Sequence, residues 1–136
     1  MNENAVGGNA REPGCFLVAS NGVDDPADPR RLNLLFQNDG NNNYVEVAAQ
    51  ANLQPFGQSW AADFADIDND GDLDCFVINH DINNSLYRNN GNGTFTDITL
   101  ASNLLSAFNG VGAGIQVKFA DFDNDGFVDL LFTSLG

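Results

Sequence analysis

The chain has 136 residues, 43 % of them hydrophobic, with eleven Phe, two Tyr and one Trp, enough to fill the core of one ordinary domain. Its net charge of −14 argues against nucleic acid and against an anionic membrane surface, since both would repel it. No apolar run is long enough to span a bilayer, and the amino terminus lacks a charged and then apolar region of signal-peptide type; if the protein is exported, its signal has been removed or lies outside this chain.

Residues 1–14 are rich in Gly and Asn, show no apolar periodicity, and read as a loose lead-in to a repeat region over residues 15–136. Cys15-Phe16-Leu17-Val18-Ala19 is a short apolar run between turn residues, hence a buried strand, and Asn21 to Arg30, with Pro26 and Pro29, is a loop. Leu32 to Gln37 is the next strand, and Asn38-Asp39-Gly40-Asn41 predicts a tight hairpin turn into Tyr44-Val45-Glu46-Val47. Ala48 to Pro55 holds a helical turn ended by Pro55 and Gly57. A strand over Trp60 to Ala65 leads into a first acidic loop, with Trp60 read as facing the core and a carbohydrate or partner platform as the alternative, and Cys75 to Asn79 leaves it as a strand. Ser85-Leu86-Tyr87-Arg88, a turn at Asn89-Asn90-Gly91-Asn92 and a strand over Thr94 to Thr99 follow. After a linking segment, Leu100 to Gly114, the strand Ile115 to Ala120 enters a second acidic loop and Leu130 to Thr133 exits it.

The two acidic loops, Asp66-Ile67-Asp68-Asn69-Asp70-Gly71-Asp72-Leu73-Asp74 and Asp121-Phe122-Asp123-Asn124-Asp125-Gly126-Phe127-Val128-Asp129, both read D-x-D-N-D-G-x-x-D and hold nine of the nineteen acidic residues. Carboxylates at alternating positions, a glycine where the backbone turns sharply, and a further carboxylate three residues on offer a hard cation several oxygens from one loop, and calcium is the ion that suits them. Without a cation the aspartates would repel one another. An EF-hand loop opens the same way but closes with a glutamate at position twelve between two helices. Here position twelve is Val77 or Phe132, so Asp74 and Asp129 must close each site, and strands flank it. A catalytic D-x-D pair would occur once, and the single lysine, Lys118, precedes the second copy rather than following it. A solvated acidic turn is the bland alternative, and duplication weighs against it.

The chain also repeats over a longer range. Leu35-Phe36-Gln37-Asn38-Asp39-Gly40 matches Leu86-Tyr87-Arg88-Asn89-Asn90-Gly91 at a spacing of 51, and the acidic loops match at a spacing of 55, giving repeat units over about 32–80 and 84–136. Each unit holds a strand before the loop, one after it, and a hairpin pair, which is the pattern of a four-stranded antiparallel β-propeller blade. The fold class expected is all-β, with half a blade, a whole blade and another half. Cys15 and Cys75 open equivalent strands and read as small core residues, with a disulfide as the alternative. His80, beside Asn79 and Asp81 after a strand end, reads as a loop residue rather than a general base.

The motif D-x-D-N-D-G-x-x-D followed by an apolar strand, and then Asn84-Ser85-Leu86-Tyr87-Arg88-Asn89-Asn90-Gly91-Asn92-Gly93-Thr94-Phe95, resembles the FG-GAP or VCBS repeats. Such repeats build the calcium-binding propeller of integrin α chains and of many secreted bacterial proteins. The resemblance covers roughly residues 15–135 and implies two calcium ions, one held by Asp66, Asp68, Asp70 and Asp74 and one by Asp121, Asp123, Asp125 and Asp129. The backbone carbonyls of Asp72 and Phe127 would complete the shells. Nothing matches the integrin ligand contacts, so that activity is not implied. The expected role is a calcium-stabilised, non-enzymatic module for adhesion or recognition in an exported protein, at the cell surface, outside the cell or in the periplasm. The alternative is a structural subunit of an extracellular assembly or filament. A closed propeller needs at least about four blades, so the expected partners are the rest of a longer propeller or further copies of the chain, with a protein or carbohydrate ligand besides. Loops of this weak class bind calcium with dissociation constants of roughly 10⁻⁴ to 10⁻³ M, which also favours the extracellular side.

Overall fold

The computed structural model describes residues 25, 27–55 and 57–135 and the backbone of residues 15–18. The lead-in over residues 1–14, and residues 21–24 and 26 of the loop between Asn21 and Arg30, lie outside the described residues.

Among the described residues, nine strands form three antiparallel sheets that follow one another along the chain. The first holds β1 (Cys15–Val18), β2 (Leu34–Asn38) and β3 (Tyr44–Glu46), and the second β4 (Ser59–Ala65), β5 (Asp74–Asn79), β6 (Ser85–Asn89) and β7 (Phe95–Asp97). The third pairs β8 (Gly114–Ala120) with β9 (Asp129–Ser134). Every neighbour in a sheet is its neighbour in sequence, which is the meander of a propeller blade: three strands, then a whole four-stranded blade, then two.

Burial explains why β5 reads as a continuous apolar run rather than an alternating one. All six of its residues are buried, because both faces of the middle sheet are covered. Cys75 and Val77 join Tyr87 and Phe95 in a cluster with Leu35, Ala48, Ala51 and Leu53 of the first sheet and its helix. Phe76 and Ile78 join Leu86 in a second cluster, packed against Val117, Phe119, Leu130 and Phe132 of the third sheet. Phe76 sits edge-on to Phe119, with ring centroids 6.5 Å apart, and tilted against Phe108 at 5.8 Å.

Several expectations about individual elements are corrected. The β2–β3 connection is longer than the tight turn expected at Asn38-Asp39-Gly40-Asn41: it is a five-residue loop over 39–43, closed by Asp39 N–H donating to Asn43 O. Residues 90–94 repeat it with Asn90 and Thr94, and Asn42 (φ 65°) takes the left-handed place that Gly93 (φ 82°) fills in the second copy. The helical turn is α1 (Ala48–Ala51), and it ends at Asn52 in the left-handed conformation, whose N–H bonds back to the helix carbonyls, before Pro55 is reached. The linking segment contains α2 (Leu104–Ala107). Trp60 does not face the core. A register irregularity between Ser59 and Ala61 turns it outward, where it is 39 % exposed and stacks flat on His80.

Candidate metal loops

Each acidic loop joins two antiparallel strands at the same end of its sheet, β4 to β5 through residues 66–73 and β8 to β9 through residues 121–128. The backbone is folded alike in both. Asn69 and Gly71 adopt φ of 59° and 94°, and Asn124 and Gly126 adopt 60° and 91°. The glycines are required because a β-carbon disfavours such φ values, and asparagine is the residue that tolerates them best after glycine.

Hydrogen bonds from the backbone then set the carboxylates. Asp66 accepts the N–H of Asp70 on one oxygen (3.1 Å) and of Gly71 on the other (2.9 Å), and Asp121 does the same with Asp125 (3.1 Å) and Gly126 (3.0 Å). Asp74 accepts the N–H of Ile67 at 2.9 Å, and Asp129 that of Phe122 at 3.0 Å, so the last aspartate of each loop grips its beginning. Asp70 and Asp125 each accept the N–H two residues on, from Asp72 and Phe127. Each acceptor oxygen keeps a lone pair for a cation.

In the first loop the carboxylate oxygens of Asp66, Asp68 and Asp70 lie within 4.8 Å of one another; in the second, those of Asp121, Asp123 and Asp129 do. Calcium binds oxygen at about 2.3–2.6 Å, so two ligands of one ion lie no farther apart than about 5 Å, and both clusters fit that limit. Asp74 of the first loop and Asp125 of the second do not join these trios through their side chains. Nor does the Asp72 carboxylate, which lies over Gly91: a β-carbon added there would be 2.7 Å from it. The side chain of Phe127 is exposed.

The two copies differ in depth. Asp74 is fully buried because Asn89 on β6 donates its backbone N–H to the second carboxylate oxygen at 2.7 Å and its side-chain amide to Leu73 O at 3.1 Å. Burial is the main cause that raises the Asp74 pKa, opposed by the N–H groups of Ile67 and Asn89, and the charges of Asp68 and Asp70 push it the same way. Asp129 has no such second strand beside it among the described residues and is exposed. Asn89 is thus a supporting residue that composition did not single out. Its signal was its fixed place at the end of the Asn-x-Leu-Tyr-x-Asn motif.

Two further residues join the sheets themselves. Asp63 on β4, 6 % exposed, accepts the N–H of Phe119 on β8, and Lys118 approaches the same carboxylate at 3.4 Å. Nothing in the loop motif announced that pairing. Cys75 is a buried free thiol, and burial pushes its pKa well up.

Antiparallel sheets in meander order, the second and third each carrying an aspartate loop at one end, define a repeat module of the β-propeller type. A model of the FG-GAP-like repeat matches residues 16–77 and again 66–132, and the chain belongs to that family. No curated protein matches it.

Proposed function

We propose that this chain is a calcium-stabilised, non-enzymatic propeller module serving adhesion or recognition in an exported or cell-surface protein. The observation that carries the reading is the pair of carboxylate trios, each within 4.8 Å, set in loops that join neighbouring strands of the second and third sheets. Bound calcium would be held by Asp66, Asp68 and Asp70 in one loop and Asp121, Asp123 and Asp129 in the other, with Asp74, Asp125 and the carbonyls of Asp72 and Phe127 as the remaining donors. The ion would replace repulsion between carboxylates with attraction and so lock the turn between two strands.

Several features support a binding rather than a catalytic role. His80 follows β5 at the end of the sheet away from the loops, and Lys118 is turned to Asp63. Neither residue therefore stands beside the loops as the base or cationic group that hydrolysis needs. The family's frequent use in extracellular proteins supports the compartment, and no helix among the described residues is long and apolar enough to cross a membrane.

Thermal unfolding in millimolar calcium and in chelator tests the proposal. Calcium is expected to raise the melting temperature with a concentration dependence of simple mass action. Asp68→Ala and Asp123→Ala are each expected to lower it in calcium and to change it little in chelator. Equal shifts in both buffers would sink the calcium reading.

A further inference from the structure

Deepening that recognition reading, on which it rests, we infer that the end of the molecule opposite the aspartate loops binds a neutral oligosaccharide. A cleft of about 320 Å³ opens there between the β5–β6 connection and the segment leading into β8, lined on one side by Asn79, His80 and Ile82 to Asn84 and on the other by Leu105 and Phe108 to Gly114. Its size lies at the lower end of the range for small-molecule sites.

Charge is the first clue. The chain carries −14, yet no residue lining this cleft is Asp, Glu, Lys or Arg. A charged ligand would find no counter-charge here, and an apolar one would strip water from a row of amides. The amides are the second clue. The side chains of Asn83 and Asn109 make no hydrogen bond among the described residues, and Asn84 uses its Oδ1 to accept the Asn79 N–H at 2.9 Å, leaving its Nδ2 free. An amide presents a donor and an acceptor side by side, which is what adjacent sugar hydroxyls, each both donor and acceptor, require.

Apolar surface completes the pattern. Ile82 and Val111, 42 % and 43 % exposed, border the cleft, and His80 lines it with its imidazole backed by the indole of Trp60 at 4.3 Å and 7°. A sugar ring carries hydroxyls on its rim and C–H groups on its faces, so it can use both kinds of wall. The groove meets a second hollow of about 290 Å³ that shares Asn83, Asn84 and Leu105, which gives room for more than one ring; its one carboxylate, Asp97, accepts from the Thr99 N–H and hydroxyl.

The chain's single tryptophan, stacked on a lining residue, supplies the readout. The intact chain in calcium is titrated with maltotriose, cellotriose, xylotriose and chitotriose while its fluorescence is followed. At least one is expected to give a saturable change, weakened about tenfold by Asn83→Ala or Asn109→Ala, both exposed positions, with the melting temperature unmoved. His80→Ala, as a second variant, is expected to weaken binding likewise. Absence of a saturable change with all four sugars, or a change that the double variant Asn83→Ala/Asn109→Ala leaves intact, overturns the proposal. Melting in calcium and chelator, run on the same samples, reports separately on the metal reading: sugar binding without calcium stabilisation would leave this site standing and remove the other.

Discussion

The carboxylate of Asp63 on β4 accepts the backbone N–H of Phe119 on β8 at 2.8 Å, so one buried side chain pins the middle sheet to the third. Removing it by Asp63→Ala leaves that N–H without its acceptor, and the expected loss is about 1–3 kcal/mol. Lys118, whose side chain is 60 % exposed, contributes as a surface ion pair does, so Lys118→Ala is expected to cost less than about 1 kcal/mol. Urea unfolding of the two variants compares them, and equal losses would show that the ion pair, not the buried hydrogen bond, joins the sheets.

Gly91 and Gly93 share a loop and a left-handed backbone, with φ of 72° and 82°, but only Gly91 lies against the Asp72 carboxylate. Alanine at either position is expected to cost about 1–2 kcal/mol for the backbone alone. Gly91→Ala must also displace Asp72, which belongs to the first acidic loop. In chelator the two variants are expected to lose similar stability; in calcium Gly91→Ala is expected to lose more and to bind the ion more weakly by calorimetry. Identical behaviour in calcium would detach the hairpin from the metal loop.

A pH dependence follows from Arg31 and Asp81. The Arg31 guanidinium donates to the Asp81 carboxylate, and the Gln58 N–H donates to its other oxygen at 2.7 Å. The Arg31 bond first, and the Gln58 bond second, hold the Asp81 pKa below its ordinary 3.8. A carboxyl with a lowered folded-state pKa stabilises the fold above the unfolded value and loses that stabilisation as pH falls through the folded one. Wild type is therefore expected to lose more stability than Asp81→Asn between pH 5 and the acid limit of the assay, modestly because Asp81 is partly exposed. Parallel stability curves would refute the coupling.

Cys75, fully buried with its thiol pushed well up, is expected to resist maleimide in the folded protein and to react at once in denaturant. The Cys15→Ser variant isolates it for mass spectrometry. Rapid native labelling would mean that the middle blade opens far more readily than its packing implies.

Legibility in the sequence was greatest where local geometry sufficed. The acidic loops were readable because D-x-D-N-D-G-x-x-D states both the clustered carboxylates and the left-handed backbone positions at Asn69, Gly71, Asn124 and Gly126. Strand order was readable because each strand pairs with its neighbour in the chain. The core reading of Trp60 failed because the register shifts between Ser59 and Ala61, and one irregular residue turns a side chain to the other face without any mark in the residue types. The end of α1 was misplaced because Asn52 capped it in a left-handed conformation before the more conspicuous Pro55.

The sequence by itself determined the repeat, the strand order of the blades and the place of both acidic loops, since these depend on turns and on strands adjacent in the chain. Only the tertiary structure decided which loop is deep and which is open, that Asp63 joins two sheets, and that uncharged amides meet in a cleft beside the Trp60–His80 stack. The reason is physical: these depend on how one sheet's face meets the next, and on contacts across up to 56 positions that neither periodicity nor propensity encodes.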